Sequence, residues 1–387
     1  MAAPVRTTDP PWIGESECRI DDFRTQVLRD TDPADYPNAT GVRGNVLVYS
    51  AAAVADGDRR ELQAELIRAL TDGPGVVLFE SAFSPDLVDR ANEGFFAIIA
   101  AQREAGTAAG DHFGRPGAND RIWNAAQKLA LHAPDVFAEY YANDTLAIVC
   151  QAWLGPRYQV TSQVNVVNPG GNAQVPHRDF HLGFVPDEHL AQYPAHLHRT
   201  SPVLTLQGAV AHCDMPVESG PTMLLPHSQR FAGGYIAFNR PDFVQFFADH
   251  HVQLPLNKGD AVFFNPALYH GAGANVSSDI RRIANLLQVS SPFGRAMEAL
   301  DRTAMVRAIY PALLAMKAAG RPRRDLHNAV VATAEGYAFP TSLDSDQPIG
   351  RLAPPSQVDS VLAALESNLS ADELDVVLRA QQERRMP

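Results

Sequence analysis

Cysteine, excess positive charge and long apolar runs are all scarce in this sequence. Its 387 residues include three cysteines, Cys18, Cys150 and Cys213, and an odd, widely spaced set does not predict a disulfide framework. No apolar run reaches the ~18 residues that a membrane-spanning helix needs, and the amino-terminal residues lack the apolar centre of a signal peptide. We therefore expect a cytoplasmic location and no membrane partner.

The charge balance is acidic. Lysine and arginine number 32 against 44 aspartates and glutamates, a formal net charge of −12 at pH 7. Because phosphate binding needs a basic face, this argues against a nucleic-acid partner. Hydrophobic content of 45% and charged content of 20% are ordinary for globular chains. Composition carries no indication of oligomeric state.

The chain divides into four regions that form one catalytic domain overall. Residues 1–55 are rich in Pro, Asp and Thr, which predicts an irregular arm on the core. Residues 56–156 predict a helical layer, and residues 296–387 a second helical region. Residues 157–295 consist of short β-branched segments separated by Gly, Pro and Asn, which predicts a β-sandwich or barrel.

Local signals place the elements. Helices are predicted over 58–70, from Ser84 as the N-cap, from about Asp135 to Trp153, near 296–318 and near 356–383. Strands are predicted at 76–79 and near 158–167, 203–213, 222–225, 261–264 and 282–290. The stretch 180–200 is predicted to be an insertion over the site that acts as a lid.

The most informative motif is His177-Arg178-Asp179. In a strand, residues i and i+2 project from the same face, so His177 and Asp179 could bind one metal ion. His270 follows the apolar run 261–264 and is expected at the end of a buried strand. Two histidines and one carboxylate are the ligand set of the facial triad of non-haem iron(II) oxygenases.

Arg281 is the second part of the expected site. Three protein ligands leave three positions of an octahedral iron open, two for a 2-oxo acid and one for dioxygen. The far carboxylate of a bound 2-oxoglutarate then needs a buried cation, and arginine pairs with a carboxylate through two parallel hydrogen bonds. Arg281 opens the predicted strand 281–289, in which Arg282 points to the opposite face, so we expect only one of the two to enter the site and favour Arg281, with Arg282 as the alternative.

These residues resemble those of the phytanoyl-CoA dioxygenase family. The matching segments are Pro-His-Arg-Asp-Phe-His at 176–181, Glu-Ser-Gly-Pro-Thr-Met-Leu-Leu-Pro-His-Ser at 218–228, Lys-Gly-Asp at 258–260 and His-Gly at 270–271. Arg281 follows His270 by eleven residues, the family's spacing for its oxoglutarate arginine. The resemblance covers roughly residues 155–295.

The resemblance implies an α+β fold with a double-stranded β-helix core, a cupin-like jelly roll, and flanking helices. It implies Fe(2+) bound by His177, Asp179 and His270, with 2-oxoglutarate as co-substrate and O2 as oxidant. The expected reaction is hydroxylation of an aliphatic C–H bond of a small organic substrate with release of succinate and CO2. Desaturation, epoxidation and cyclisation require the same residues.

Two further co-substrate contacts are implied. Asn165 falls where the family places an oxoglutarate-lining side chain, and Gln207 falls where relatives often carry an aromatic residue. Gln207 is therefore a departure from the family pattern, as is Arg178, where relatives commonly have Gln. Arg178, His181 and His198 predict a positive entrance suited to a substrate carboxylate or phosphate.

Other interpretations of the motif remain. The fold could serve a metal-dependent cupin-type enzyme that does not use 2-oxoglutarate, or a non-catalytic jelly-roll protein that binds a ligand. A zinc pair of His177 and His181 on a helix is disfavoured, because Pro176 and the nearby Pro169-Gly170-Gly171 argue against a helix there.

Overall fold

The structure, a computed structural model, describes residues 10–107 and 119–387. Within these ranges the helices are α1 (Ile20–Val27), α2 (Ala51–Asp56), α3 (Arg59–Thr71), α4 (Pro85–Glu104), α5 (Ala125–His132), α6 (Pro134–Tyr141), α7 (Asp144–Leu154), α8 (Asp187–Leu190), α9 (Ala195–Val203), α10 (Gly234–Ala237), α11 (Pro241–His250), α12 (Arg302–Ala318), α13 (Arg323–Thr333), α14 (Gln357–Glu366) and α15 (Ala371–Arg385). The strands are β1 (Gly41–Arg43), β2 (Val46–Ser50), β3 (Val76–Glu80), β4 (Asn119–Ile122), β5 (Gln159–Val167), β6 (Thr205–Ala211), β7 (Met223–Leu225), β8 (Ala261–Phe264), β9 (Tyr269–Gly271) and β10 (Arg282–Ser290). None of the described helices is long and apolar enough to cross a membrane.

Two sheets form the β core. The large sheet has eight strands in the order β1-β2-β3-β8-β6-β10-β5-β4, and the small sheet pairs β7 with β9. Isolated bridges from His177 to His270 and from Leu224 to Val252 extend the small sheet. The fold is α+β, with the predicted double-stranded β-helix at its centre and helices around it.

The large sheet has two faces of different character. Successive side chains of a strand alternate between faces, and along β10 Ile283, Leu287 and Val289 pack into the main hydrophobic core with the helices. We call this the outer face. The opposite, inner face looks toward the small sheet, since Ala284 packs in one cluster with Leu224 of β7.

The prediction of an irregular arm over residues 1–55 is wrong. This region supplies β1 and β2, and β2 pairs in parallel with β3, with Leu47 opposite Val77. It also supplies α1, whose Phe23 is fully buried beside Phe231 and Phe243. The strands were missed because they are only three and five residues long.

Two predicted helix starts are confirmed, and one predicted helix is divided in two. Helix α3 begins after Asp58, which accepts hydrogen bonds from two backbone N–H groups, and α4 begins after Ser84, as predicted. The single helix expected over 135–153 is instead two helices. Asn143 lies between them and accepts a hydrogen bond from the Leu146 backbone N–H at 2.8 Å, which begins a new helix at that point.

Candidate metal centre

Three side chains converge at one point between the two sheets. The ligand atoms of His177, Asp179 and His270 all lie within 4.8 Å of one another. The distance from His177 Nε2 to Asp179 Oδ1 is 3.7 Å, and from His270 Nε2 to Asp179 Oδ2 it is 3.6 Å. The two imidazole rings have their centroids 4.4 Å apart. The structure thus brings together the three residues that the sequence predicted as ligands.

The backbone sets the spacing of the two histidines. The His177 N–H donates to the His270 carbonyl at 3.0 Å, and the His270 N–H donates to the His177 carbonyl at 3.3 Å. His270 was expected at the end of the strand that contains residues 261–264. It lies instead in a separate strand, β9, which pairs with β7. The Asp179 N–H donates to the Pro266 carbonyl at 3.2 Å. Each ligand is therefore tied to the small sheet or to the loop before it.

Hydrogen bonds also select which ring nitrogen faces the centre. His177 Nδ1 lies 3.0 Å from the Val175 carbonyl, and His270 Nδ1 lies 2.9 Å from the Leu268 carbonyl. A carbonyl oxygen only accepts, so each Nδ1 carries the proton. Each Nε2 is left with its lone pair directed at the centre, the arrangement that metal-binding histidines require.

The charges around the centre suit a cation. Burial opposes ionisation of Asp179, but the adjacent His270 and His177 rings outweigh it and hold the pKa of the carboxyl well below its usual range. Burial, reinforced by the neighbouring His270, lowers the pKa of His177. A metal is bound by an ionised carboxylate and by imidazole nitrogens that carry no proton. The donor set fits iron(II) in the two-histidine, one-carboxylate facial triad.

Gln207 contacts the centre from the large sheet. It lies on the inner face of β6, and its Nε2 donates a hydrogen bond to Asp179 Oδ2. Its strand partners are Phe264 and Gln288, and the Phe264 ring lies 4.7 Å from the His270 ring. Gln207 was predicted to contact the co-substrate, and what the structure shows is a contact with a metal ligand.

Asn165 lies on the same inner face. It is buried on β5 opposite Ala284 of β10, and its Oδ1 has no hydrogen-bond partner. Its predicted co-substrate contact stays a prediction.

The structure places the two neighbouring arginines in different surroundings. Arg281 lies just before β10, with a 52% exposed side chain that is 3.8 Å from the Asp120 carboxylate. Its guanidinium lies 5.6 Å from the centre of the Phe96 ring, on the helical side of the sheet. Arg282, in contrast, is 7% exposed on the inner face. Its Nη1 donates to the Ser219 carbonyl at 3.2 Å and to the Gly273 carbonyl at 3.1 Å.

The predicted role of Arg178 at the entrance is also corrected. Arg178 is 2% exposed, and its Nη2 donates to the Ser228 carbonyl at 2.6 Å and to the Phe231 carbonyl at 3.0 Å. Its guanidinium lies between the Tyr235 and Tyr269 rings, 5.1 Å from each centre. Side chains alternate in direction along this extended segment, so Arg178 points away from the neighbouring ligands His177 and Asp179. Its contacts stabilise the loop of Ser228 and Phe231.

His198 and His181 were also predicted at the entrance, and the structure places them in different surroundings. His198 is buried, with its ring 6.2 Å from that of Tyr235, and burial lowers its pKa. It is therefore neutral at pH 7 and gives no positive charge to an entrance. His181 follows Phe180, whose ring centre is 5.8 Å away. Its predicted contact with substrate stays a prediction.

Polar residues alternate with core residues along the strands that form the inner face. In β5, Thr161, Gln163 and Asn165 alternate with residues that pack in the core, and in β10 Arg282 and Gln288 share one parity. This alternation places Arg282 on the polar, inner side. The family spacing pointed to Arg281 instead.

A jelly-roll core that brings two imidazoles and a carboxylate to one point is typical of non-haem iron oxygenases. The model of the phytanoyl-CoA dioxygenase (PhyH) family matches residues 71–283, more than half of the chain. The chain belongs to this family.

Individual relatives are more distant. Dioxygenase andF of Emericella variicolor is 28% identical over 158 residues, which are 40% of this chain and 50% of that protein. The chain thus matches about half the length of this curated relative. A structure of EctD from S. alaskensis with 2-oxoglutarate and 5-hydroxyectoine is 21% identical, covers 60% of this chain and 77% of that chain, and has a TM-score of 0.45. A structure of the epimerase SnoN from nogalamycin biosynthesis is 19% identical, covers 60% of this chain and 84% of that chain, and has a TM-score of 0.40. At these values neither likeness bears on the activity.

Proposed function

We propose that this protein hydroxylates a C–H bond of a small organic substrate while 2-oxoglutarate and O2 are converted to succinate and CO2. The observation that carries the proposal is the convergence of His177, Asp179 and His270 at a point whose flanking inner face also holds the buried Arg282. Iron(II), when bound there, supplies the activation of dioxygen that no side chain can provide. The protein supplies binding, orientation and the exclusion of water.

Arg282 is the residue that we propose for the far carboxylate of 2-oxoglutarate. Its Nη1 is hydrogen-bonded to the Gly273 carbonyl, and Gly273 is three residues after the ligand His270. A chain of three residues spans at most ~11 Å, so the guanidinium lies within reach of a five-carbon diacid that extends from the metal.

The remaining donors of Arg282 suit this role. A guanidinium has five N–H donors, and the two backbone contacts of Arg282 both involve Nη1. Nη2 and Nε therefore keep donors for a paired contact with a carboxylate. Burial lowers the pKa of Arg282 to about 10, which leaves the side chain charged at pH 7.

Asn165 and Phe264 complete the proposed co-substrate site. Asn165 is on β5, next to the β10 strand that carries Arg282, and two positions along β5 from Val167, the strand partner of Arg282. We propose that its amide lines the path between the metal and the guanidinium. The Phe264 ring beside His270 covers the ligand on its apolar side, and apolar cover strengthens the electrostatic contacts inside.

The test compares the two neighbouring arginines. Arg282→Met removes the buried guanidinium, and Arg281→Met removes an exposed one of the same length and charge. Loss of one member of a buried charge pair costs about 2–5 kcal/mol. We therefore expect anaerobic 2-oxoglutarate binding to Fe2+-loaded Arg282→Met to weaken by about 30-fold or more, while Arg281→Met binds within about twofold of wild type.

The readouts are the dissociation constant of 2-oxoglutarate and the yield of succinate per oxidised substrate. The reverse pattern, in which only Arg281→Met loses affinity, would return the role to Arg281. Wild-type protein that binds iron but forms no succinate would instead favour a cupin-type enzyme that does not use 2-oxoglutarate. Protein that takes up no metal would favour a ligand-binding jelly roll.

A further inference from the structure

We propose that Gln207 is a positioning residue that holds one oxygen of Asp179, so that the carboxylate coordinates the metal through a single oxygen. The inference rests on the metal site of the proposed function, and it does not depend on the identity of the co-substrate.

The hydrogen bond fixes the orientation of the Gln207 amide. The amide nitrogen is the atom that faces Asp179 Oδ2, because a carboxylate offers acceptors to a donor N–H. The amide oxygen, Oε1, faces the other way and has no hydrogen-bond partner among the described residues, although Gln207 is 3% exposed. A buried polar atom without a partner is unusual. Here it accompanies an amide that is held in place by its contact with Asp179.

The two partners differ in how firmly the backbone holds them. Gln207 lies in β6, which has a hydrogen-bonded strand on each side, with Phe264 and Gln288 as its cross-strand neighbours. Asp179 lies outside regular secondary structure. The rigid strand therefore positions the carboxylate, through the amide, rather than the reverse.

The number of coordinating oxygens decides how many positions remain open. A carboxylate can bind a metal through one oxygen or through both. Coordination through both would occupy one of the positions that a 2-oxo acid and dioxygen need. Oδ1 lies 3.7 Å from His177 Nε2 and Oδ2 lies 3.6 Å from His270 Nε2, so both oxygens face the centre. The hydrogen bond from Gln207 to Oδ2 is what distinguishes them, and it favours coordination through Oδ1.

The test is a metal titration of the full-length protein. Gln207→Met removes the donor at similar side-chain length. Gln288→Met is the matched control, because Gln288 is 7% exposed on the same inner face, directly opposite Gln207, and also has an unpartnered Oε1. Loss of a group that orients a metal ligand typically weakens metal binding by 10- to 100-fold. We expect that loss for Co2+ binding to Gln207→Met, and a change within about twofold for Gln288→Met.

The visible absorption of bound Co2+ is the second readout, because it depends on coordination number and geometry. We expect it to change in Gln207→Met and to match wild type in Gln288→Met. Gln207→Asn, which keeps the donor but shortens its reach, should also bind Co2+ more weakly, and it serves if the methionine variant does not fold. Circular dichroism of the metal-free proteins checks folding.

Two results would overturn the inference. One is wild-type affinity and spectrum in the folded Gln207 variants, and the other is an equal loss in Gln288→Met, which would indicate general repacking of the inner face. Both leave the proposed function standing, because wild type still binds metal. Wild-type protein that binds neither Co2+ nor Fe2+ would instead sink the proposed function and this inference together.

Discussion

Polar side chains are buried on both faces of the large sheet, but they have different neighbours. On the outer face, His212 Nδ1 is 2.7 Å from Asn92 Oδ1 and His212 Nε2 is 2.9 Å from the Tyr140 hydroxyl. Both ring nitrogens thus have partners, and the helices are tied to the sheet. On the inner face, amide oxygens of Gln207 and Asn165 have none.

Buried oxygens without a partner are not confined to one face, because Asn285 Oδ1 on the outer face also lacks a partner among the described residues. What distinguishes the inner face is its contact with the metal centre through Gln207, whereas the outer face packs against the helices.

The largest expected effect comes from the inner face. Asp179→Asn removes the anionic ligand but keeps an oxygen that can accept from Gln207. Outer-shell changes already weaken metal binding by 10- to 100-fold, so loss of a direct ligand should weaken Fe2+ or Co2+ binding by more than about 100-fold. Isothermal titration checks this. Near-wild-type metal affinity in a folded variant would remove Asp179 from the ligand set.

The next effect tests the outer face. Leu287 is fully buried in the core that joins β10 to the helices. Leu287→Ala should lower the free energy of unfolding by about 2–5 kcal/mol, the usual range for a buried leucine, in denaturant titrations. Metal affinity should remain within about twofold, and a parallel loss of metal binding would show that the two faces are not separable.

The smallest effect concerns pH. Burial lowers the pKa of His212 to about 3, whereas the unfolded chain titrates near 6.5. Between these values the unfolded state binds a proton that the folded state does not, so this contribution to stability is complete above pH 6.5 and is lost as the pH falls toward 3.

His212→Gln should therefore cost about 1–3 kcal/mol at pH 7 through lost hydrogen bonds. It should also lose less stability than wild type between pH 7 and pH 5. Thermal unfolding at the two pH values measures both effects. An equal loss in the two proteins would show that His212 is not the group that titrates.

The metal ligands could be predicted from the sequence because their signals are local. His177 and Asp179 are two residues apart, and His270 is followed by a glycine and preceded by the apolar run 261–264. The hairpin of β1 and β2 turns at Gly44-Asn45 and had a local signal that was overlooked. The pairing of β3 with β8, nearly two hundred residues away, could not be predicted. Pairing between distant segments leaves no periodic signal in either one.

Arg178 shows a different limit of prediction. An arginine beside two metal ligands suggests contact with an anionic substrate. Its true position depends on Gly234, where an added Cβ would lie 1.9 Å from the Arg178 guanidinium carbon. The absence of a side chain 56 positions away thus decides where this arginine goes.

The paired backbone hydrogen bonds between His177 and His270 have a consequence for handling the enzyme. Since main-chain contacts already hold the two imidazoles side by side, stripping the protein with a chelator should leave its architecture unchanged. We expect such a protein to accept a redox-inert ion such as Zn2+ in place of iron, so that bound substrate can be held without turnover.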